Sequence, residues 1–239
     1  MNSNHNQSSL RWVGRQRRPK EDRRFITGNG HYVADIRLPG MKHIALVSSP
    51  YASAWIKSID INQALALPGI VTVLTGDELA ASVRPLANAL DTPNIRCWPL
   101  AYEEVRYAGE WVAAVVADDR YIAEDAAELI EVDYQPRPCI VDPEQAMLPD
   151  SPPVHRAHGS NILYQRKFTW GAVDELFGQS PHQLQFDVEW GRNATVPIET
   201  FGVVANWNPG EQILDVWASI QMPSYPEQLG DALGLAGNQ

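Results

Sequence analysis

The residues able to do chemistry in this chain are scattered, and few stand at spacings that chemistry uses. Its histidines are His5, His31, His43, His155, His158 and His182. His155 and His158 are three apart, a spacing that aligns two metal ligands on a helix. Here they sit in the stretch PDSPPVHRAHGSN (149–161), which is a loop, so they read as solvated histidines and the expected metal site is none. The cysteines, Cys97 and Cys139, lie too far apart for a zinc pair. No G-x-S-x-G elbow or phosphate loop occurs. Gly28-Asn29-Gly30 has no strand before it and reads as a turn, not a dinucleotide site. The adjacent pairs Glu103–Glu104, Asp118–Asp119 and Glu124–Asp125 point in different directions if helical and read as a solvated acidic face rather than a glycosidase dyad.

Charge and composition narrow the classes further. Net charge is −10, yet residues 1–24 carry seven Lys/Arg against Glu21 and Asp22, a net of +5 on a body of −15. A basic arm of this kind is found in nucleic-acid binders. No aromatic–basic interleaving follows it, so the reading is an arm on an acidic surface of its own assembly, and no nucleic-acid partner is expected. Eight tryptophans promise large buried contacts, and a Trp-rich acidic chain keeps a carbohydrate-binding module open as an alternative. The polar start MNSNHNQSSL is no signal peptide. No run reaches the roughly 20 apolar residues of a membrane helix. A cytoplasmic protein with free thiols and no membrane span is expected.

The elements expected to position these residues are short and mixed. Residues 1–10 read as disordered and 11–30 as an irregular arm. His43–Val47, Ala54–Ile61 and Ile70–Leu74 read as strands, with a short helix from Asn62 closed by Pro68-Gly69. Residues 80–103 read as a long loop. The apolar run Trp111–Ala117 is a buried strand, capped by Asp118 or Asp119 into a helix with Ile122, Ala126, Leu129 and Ile130 on one face, and Glu131–Tyr134 alternates as the next strand. Strand, helix and strand with tight joins predict a βαβ crossover. Asp142-Pro143-Glu144 opens a further helix. After the Pro-rich stretch, the alternation of Leu184, Phe186, Val188 and Trp190 predicts a strand. Val203–Trp207 and Ile213–Ala218 flank the turn Asn208-Pro209-Gly210-Glu211 and predict a hairpin, and Pro226 starts a helix with Leu229, Ala232 and Leu233 inward.

Several stretches in order carry a resemblance. They are Arg24-Phe25-Ile26-Thr27-Gly28-Asn29-Gly30-His31-Tyr32-Val33-Ala34-Asp35-Ile36, Leu38-Pro39-Gly40-Met41, Ser48-Ser49-Pro50-Tyr51-Ala52, Ala66-Leu67-Pro68-Gly69-Ile70 and Thr75-Gly76-Asp77. Val105-Arg106-Tyr107-Ala108-Gly109-Glu110-Trp111 follows, running on through Ala117 to Val132-Asp133-Tyr134. Together they resemble the large, molybdenum-binding subunit of the xanthine dehydrogenase, aldehyde oxidase and carbon monoxide dehydrogenase family. The resemblance is dense over residues 12–148 and thinner beyond. It implies an α+β chain: a basic arm (1–23), an a/b hammerhead domain (24–148), a linker (149–161) and the incomplete start of an α+β molybdenum-cofactor-binding domain (162–239).

In that second part Pro197-Ile198-Glu199-Thr200 is similar to the family's P-[MLI]-E-[PT] stretch, with Phe201 a less usual follower. Trp217-Ala218-Ser219-Ile220-Gln221-Met222-Pro223 is similar to its S-T-Q-x-P segment. The resemblance implies that Gln221 donates a hydrogen bond at the molybdenum cofactor; the alternative is a strand-end glutamine bonded to backbone. Glu199 is the second cofactor-binding candidate, orienting a pocket or a loop amide, or else purely structural. The family's glycine-rich segment and general-base glutamate are not among these 239 residues. No catalytic residue is therefore expected in this chain, which alone should hold no molybdenum and oxidise nothing. The complete subunit would oxidise a small substrate with water-derived oxygen, using a molybdopterin-type cofactor. Its expected partners are the remainder of the subunit or a complementary chain, and FAD and iron–sulfur subunits or domains. A non-catalytic scaffold or assembly module stands as the alternative. The hairpin and the helix from Pro226 should leave Leu214, Val216, Trp217, Leu229 and Leu233 only partly covered.

Overall fold

A computed structural model describes residues 12–86, 92, 95–237 and 239. The expectation for residues 1–10 lies outside them. In chain order the elements are α1 (Asp22–Ile26), a 3-10 turn at Val33–Asp35, β1 (His43–Ser48), β2 (Ala54–Asp60), α2 (Asn62–Leu65), β3 (Ile70–Thr75), α3 (Gly76–Ser82), β4 (Glu104–Val105) and β5 (Trp111–Ala117). There follow α4 (Arg120–Glu128), β6 (Glu131–Pro136), α5 (Pro143–Ala146), α6 (Val173–Gln179), β7 (Val203–Asn208), β8 (Ile213–Ala218) and α7 (Tyr225–Leu233). The class is α+β.

Strand β5 is central because it is apolar on both faces. It lies between β1 and β3, antiparallel to each. Side chains alternate across a strand. Ala113, Val115 and Ala117 face a core built with Ala64, Ala123, Ala126 and Ile130, while Val112 packs into a second core with Ala54, Ala101 and Val105. The alanines matter: small residues on both β5 and α4 let the helix lie close on the sheet. Asp119 caps α4 by accepting the backbone N–H of Tyr121 at 2.8 Å. The second sheet has the order β4-β2-β6, with Trp55 opposite both Glu104 and Gln135.

The expected βαβ crossover does not form. β5 and β6 belong to different sheets, and β6 pairs antiparallel with β2. Both strands find antiparallel partners earlier in the chain, and α4 carries the chain from one sheet to the other. The irregular arm contains a helical turn, α1, and Phe25 stacks on Tyr32 at 5.6 Å. The expected loop from residue 80 lies partly outside the described residues, and its first residues complete α3. That helix carries a capping box, Glu78 accepting the backbone N–H of Thr75 at 3.1 Å. Its first residue must be glycine, since a Cβ on Gly76 would stand 2.2 Å from the Ala101 carbonyl oxygen.

Past residue 148 the backbone is mostly irregular. Leu184, Phe186, Val188 and Trp190 form no strand and are 76–85% exposed. Alternation alone makes no strand without a neighbour to complete the ladder. The expected β7–β8 hairpin forms, with Val203 opposite Ala218 and Asn208 opposite Ile213, around Asn208–Glu211, whose Asn208 side chain accepts the N–H of Gly210 at 3.0 Å. Gly234 ends α7 in the left-handed conformation, φ 73°.

Candidate functional site

The open ends of the hairpin bring the two family-like segments together. The Ser219 hydroxyl accepts the backbone N–H of Gly202 at 2.8 Å and donates to the Thr200 carbonyl at 3.1 Å, while the Ser219 N–H donates to the Gly202 carbonyl at 3.1 Å. The Pro197–Thr200 stretch is thereby held beside the start of Ser219–Pro223. Gln221 follows directly, exposed, and among the described residues no protein group hydrogen-bonds its amide. Glu199 points elsewhere. Its Oε1 accepts the backbone N–H of Val33 at 2.9 Å, tying the hairpin segment to the 3-10 turn near the start of the chain.

Two clefts flank these segments. One, of about 390 Å³, includes Tyr32, Asp35, Arg37, Arg120 and Glu199 in its walls. Its Asp and Arg side chains are already engaged: Arg37 donates to the carbonyls of Ala34 and Ile36, Asp35 accepts from the Tyr32 N–H, and Arg120 pairs with Glu124. The other, of about 500 Å³, lies between β8 and α7 and is apolar, walled by Leu214, Val216, Met222, Tyr225, Leu229 and Leu235. Trp217 and Leu233 are 39% and 41% exposed, so the expectation of partial cover on the hairpin and helix agrees with the structure. Neither cleft holds a nucleophile beside a base. Among the described residues no group of three or more His, Cys, Asp or Glu side chains is placed to hold a metal.

The enclosed charges lie between residues 104 and 137. Glu104 is 7% exposed, so its reading as part of a solvated acidic face is wrong for this residue. It accepts from Arg106 at 3.2 Å and from Arg137. Glu110 accepts the Arg106 backbone N–H at 2.5 Å and faces its guanidinium at 3.6 Å. Burial pushes the Glu110 carboxyl up, against the opposing pull of the Arg106 backbone N–H and charge. The signal in the sequence was the Glu104-Val105-Arg106 spacing, which puts opposite charges on one side of an extended chain. Asp118 and Glu124, by contrast, are exposed and pair with Lys42 and Arg120.

Residues 27–138 match the aldehyde oxidase and xanthine dehydrogenase a/b hammerhead domain, and residues 154–239 match the molybdopterin cofactor-binding domain. The chain belongs to the molybdenum hydroxylase family. It is 37% identical over 223 residues to the carbon monoxide dehydrogenase large chain of Hydrogenophaga pseudoflava, an alignment that takes in 85% of this chain and 27% of that one. It is 32% identical to the 6-hydroxypseudooxynicotine dehydrogenase complex subunit gamma of Paenarthrobacter nicotinovorans, over 88% of this chain and 27% of the relative. Among solved structures, quinoline 2-oxidoreductase from Pseudomonas putida 86 superposes with a TM-score of 0.83 at 32% identity, covering 91% of this chain and 28% of that one. The chain thus spans little more than a quarter of the length of these relatives.

Against the family's molybdenum cofactor, the described residues fit one outer contact. Gln221 offers an accessible, uncommitted amide donor, whereas Glu199 is occupied by Val33 and no ligating cluster occurs among the described residues. No helix among the described residues is long and apolar enough to cross a membrane.

Proposed function

We infer that this chain is the N-terminal portion of a molybdenum hydroxylase large subunit, and that Gln221 supplies one hydrogen bond to its cofactor. The observation that carries this reading is the Ser219 clamp, which fixes the two family-like segments side by side and leaves the Gln221 amide without a protein partner. A neutral N–H donor steadies an oxygen whose charge changes during turnover without adding a titrating group. When bound, the cofactor supplies oxidation of a small substrate with oxygen from water. Glu199 acts as a positioning residue, holding the Val33 backbone against the Pro197–Thr200 segment. FAD and iron–sulfur centres belong to partner subunits or domains, in keeping with relatives named as a large chain and as a complex subunit. The exposed free thiols of Cys97 and Cys139 suit a cytoplasmic setting.

The test is Gln221→Ala in the complete holoenzyme. We expect molybdenum content to be retained and kcat to fall by about 10- to 100-fold, the usual effect of losing an outer-sphere contact. Unchanged kcat at full molybdenum content would remove Gln221 from the site.

A further inference from the structure

A third cleft, separate from the hairpin, has a chemistry of its own. It measures about 400 Å³ and lies where β2 and β4 meet the loop at residues 155–157. Trp55, Trp98 and Tyr102 supply its rings, and Arg96, Arg106 and Arg156 its cations. Within it, Arg106 is committed to Glu104 and Glu110, and Arg137 behind it to Glu104. Arg96 and Arg156 form no ion pair among the described residues, so their donors are available.

The geometry points to a binding site for a small aromatic carboxylate. Arg156 stands 4.7 Å from the centre of the Trp55 ring, and Arg137 4.5 Å from it. Stacking holds a guanidinium plane in place, so that its fork of donors can meet a carboxylate with little further ordering. Trp98 and Tyr102 meet edge to face at 5.4 Å and offer apolar wall for a flat ring. The volume falls within the range of small-molecule sites. Charge selects the class of anion. The walls carry three arginines against Glu103 and Glu104, a surplus of one positive charge in a chain whose net charge is −10. A monoanion neutralises that surplus, and the ring walls favour one that carries a flat ring over inorganic phosphate, which has none. His155, part-buried where a solvated loop histidine was expected, is disfavoured as a competing cation: burial, with Arg106 nearby, lowers its imidazole from the ordinary histidine range.

The experiment titrates the full chain with 2-naphthoate by calorimetry, alongside 2-naphthamide, inorganic phosphate and a glutamate-rich peptide. We expect naphthoate to bind and to weaken as salt is added, with naphthamide and phosphate at least tenfold weaker. Arg156→Gln and Arg96→Gln, both exposed and outside the core, should each weaken naphthoate about tenfold, as loss of a charge-assisted hydrogen bond implies. Equal binding of the amide or of phosphate overturns the proposal, as does unchanged affinity in both variants. Saturation by the peptide without any binding of naphthoate also overturns it, in favour of a polypeptide partner.

Discussion

Replacing Glu104 by alanine should lower the unfolding free energy by about 3–5 kcal/mol, the effect of breaking a buried ion pair from one side. The carboxylate is almost fully enclosed and lies between two guanidinium groups that are themselves about four-fifths covered. Its removal leaves Arg137 without its ion-pair partner and Arg106 with Glu110 alone, and Arg106 already has a buried Nε with no hydrogen-bond partner. The network also ties together elements distant in sequence, since Arg137 follows β6, crosses Trp55 on β2 and reaches Glu104 on β4. Urea unfolding followed by tryptophan fluorescence measures the loss. The exposed pair Arg120–Glu124 provides the control, because solvent screens it and Arg120→Ala should leave the unfolding midpoint almost unchanged. A loss below about 1 kcal/mol for Glu104→Ala would mean that the network contributes no more than a surface pair.

Hydrogen exchange should divide the chain sharply. Amides of β5 are paired on both sides in the middle of a sheet, and Val112, Ala113 and Val115 are fully enclosed. They open only with the whole domain and should exchange at least roughly 10³-fold more slowly than an unfolded chain, given ordinary domain stability. Residues 162–198 have the opposite character. Their one helix, α6, is seven residues long, and every residue from 163 to 198 is exposed, including Phe168, Trp170, Phe186 and Trp190. A helix that short does not persist without packing, so these amides should exchange close to the unfolded rate. The same apolar surface should make the isolated chain self-associate, visible by light scattering. Comparable protection in both regions, in a stable monomer, would contradict this.

Much of the fold was legible in the sequence, and the exceptions have physical reasons. β3, β5 and the β7–β8 hairpin follow from β-branched runs, continuous apolar character and a turn-forming Asn-Pro-Gly, all of them local signals. α3 had a local signal too, the Thr75-x-x-Glu78 capping box. The pairing of β6 with β2 had none, because strand order is set by tertiary contacts and not by the length of the joins. The alternation at 184–190 was real as a pattern, yet no strand among the described residues pairs with it. At the site, the side-by-side placement of Pro197–Thr200 and Ser219–Pro223 follows from the hairpin, which the sequence predicts, and from its register, which it did not state. The contact between Glu199 and Val33 spans 166 positions and could not be read from spacing. Nor could the cleft around Trp55, whose walls come from three separate stretches of chain.

The most direct test of the family reading is to isolate the protein from the organism that makes it. An affinity tag at the N-terminus, outside the elements described above, would retain everything joined to or associated with residues 1–239. Elemental analysis and flavin extraction of the purified material then decide. Stoichiometric molybdenum with pterin, accompanied by iron and FAD, is the expected result. A folded, soluble preparation free of molybdenum, iron and flavin would contradict it and leave a non-catalytic scaffold as the function of this chain.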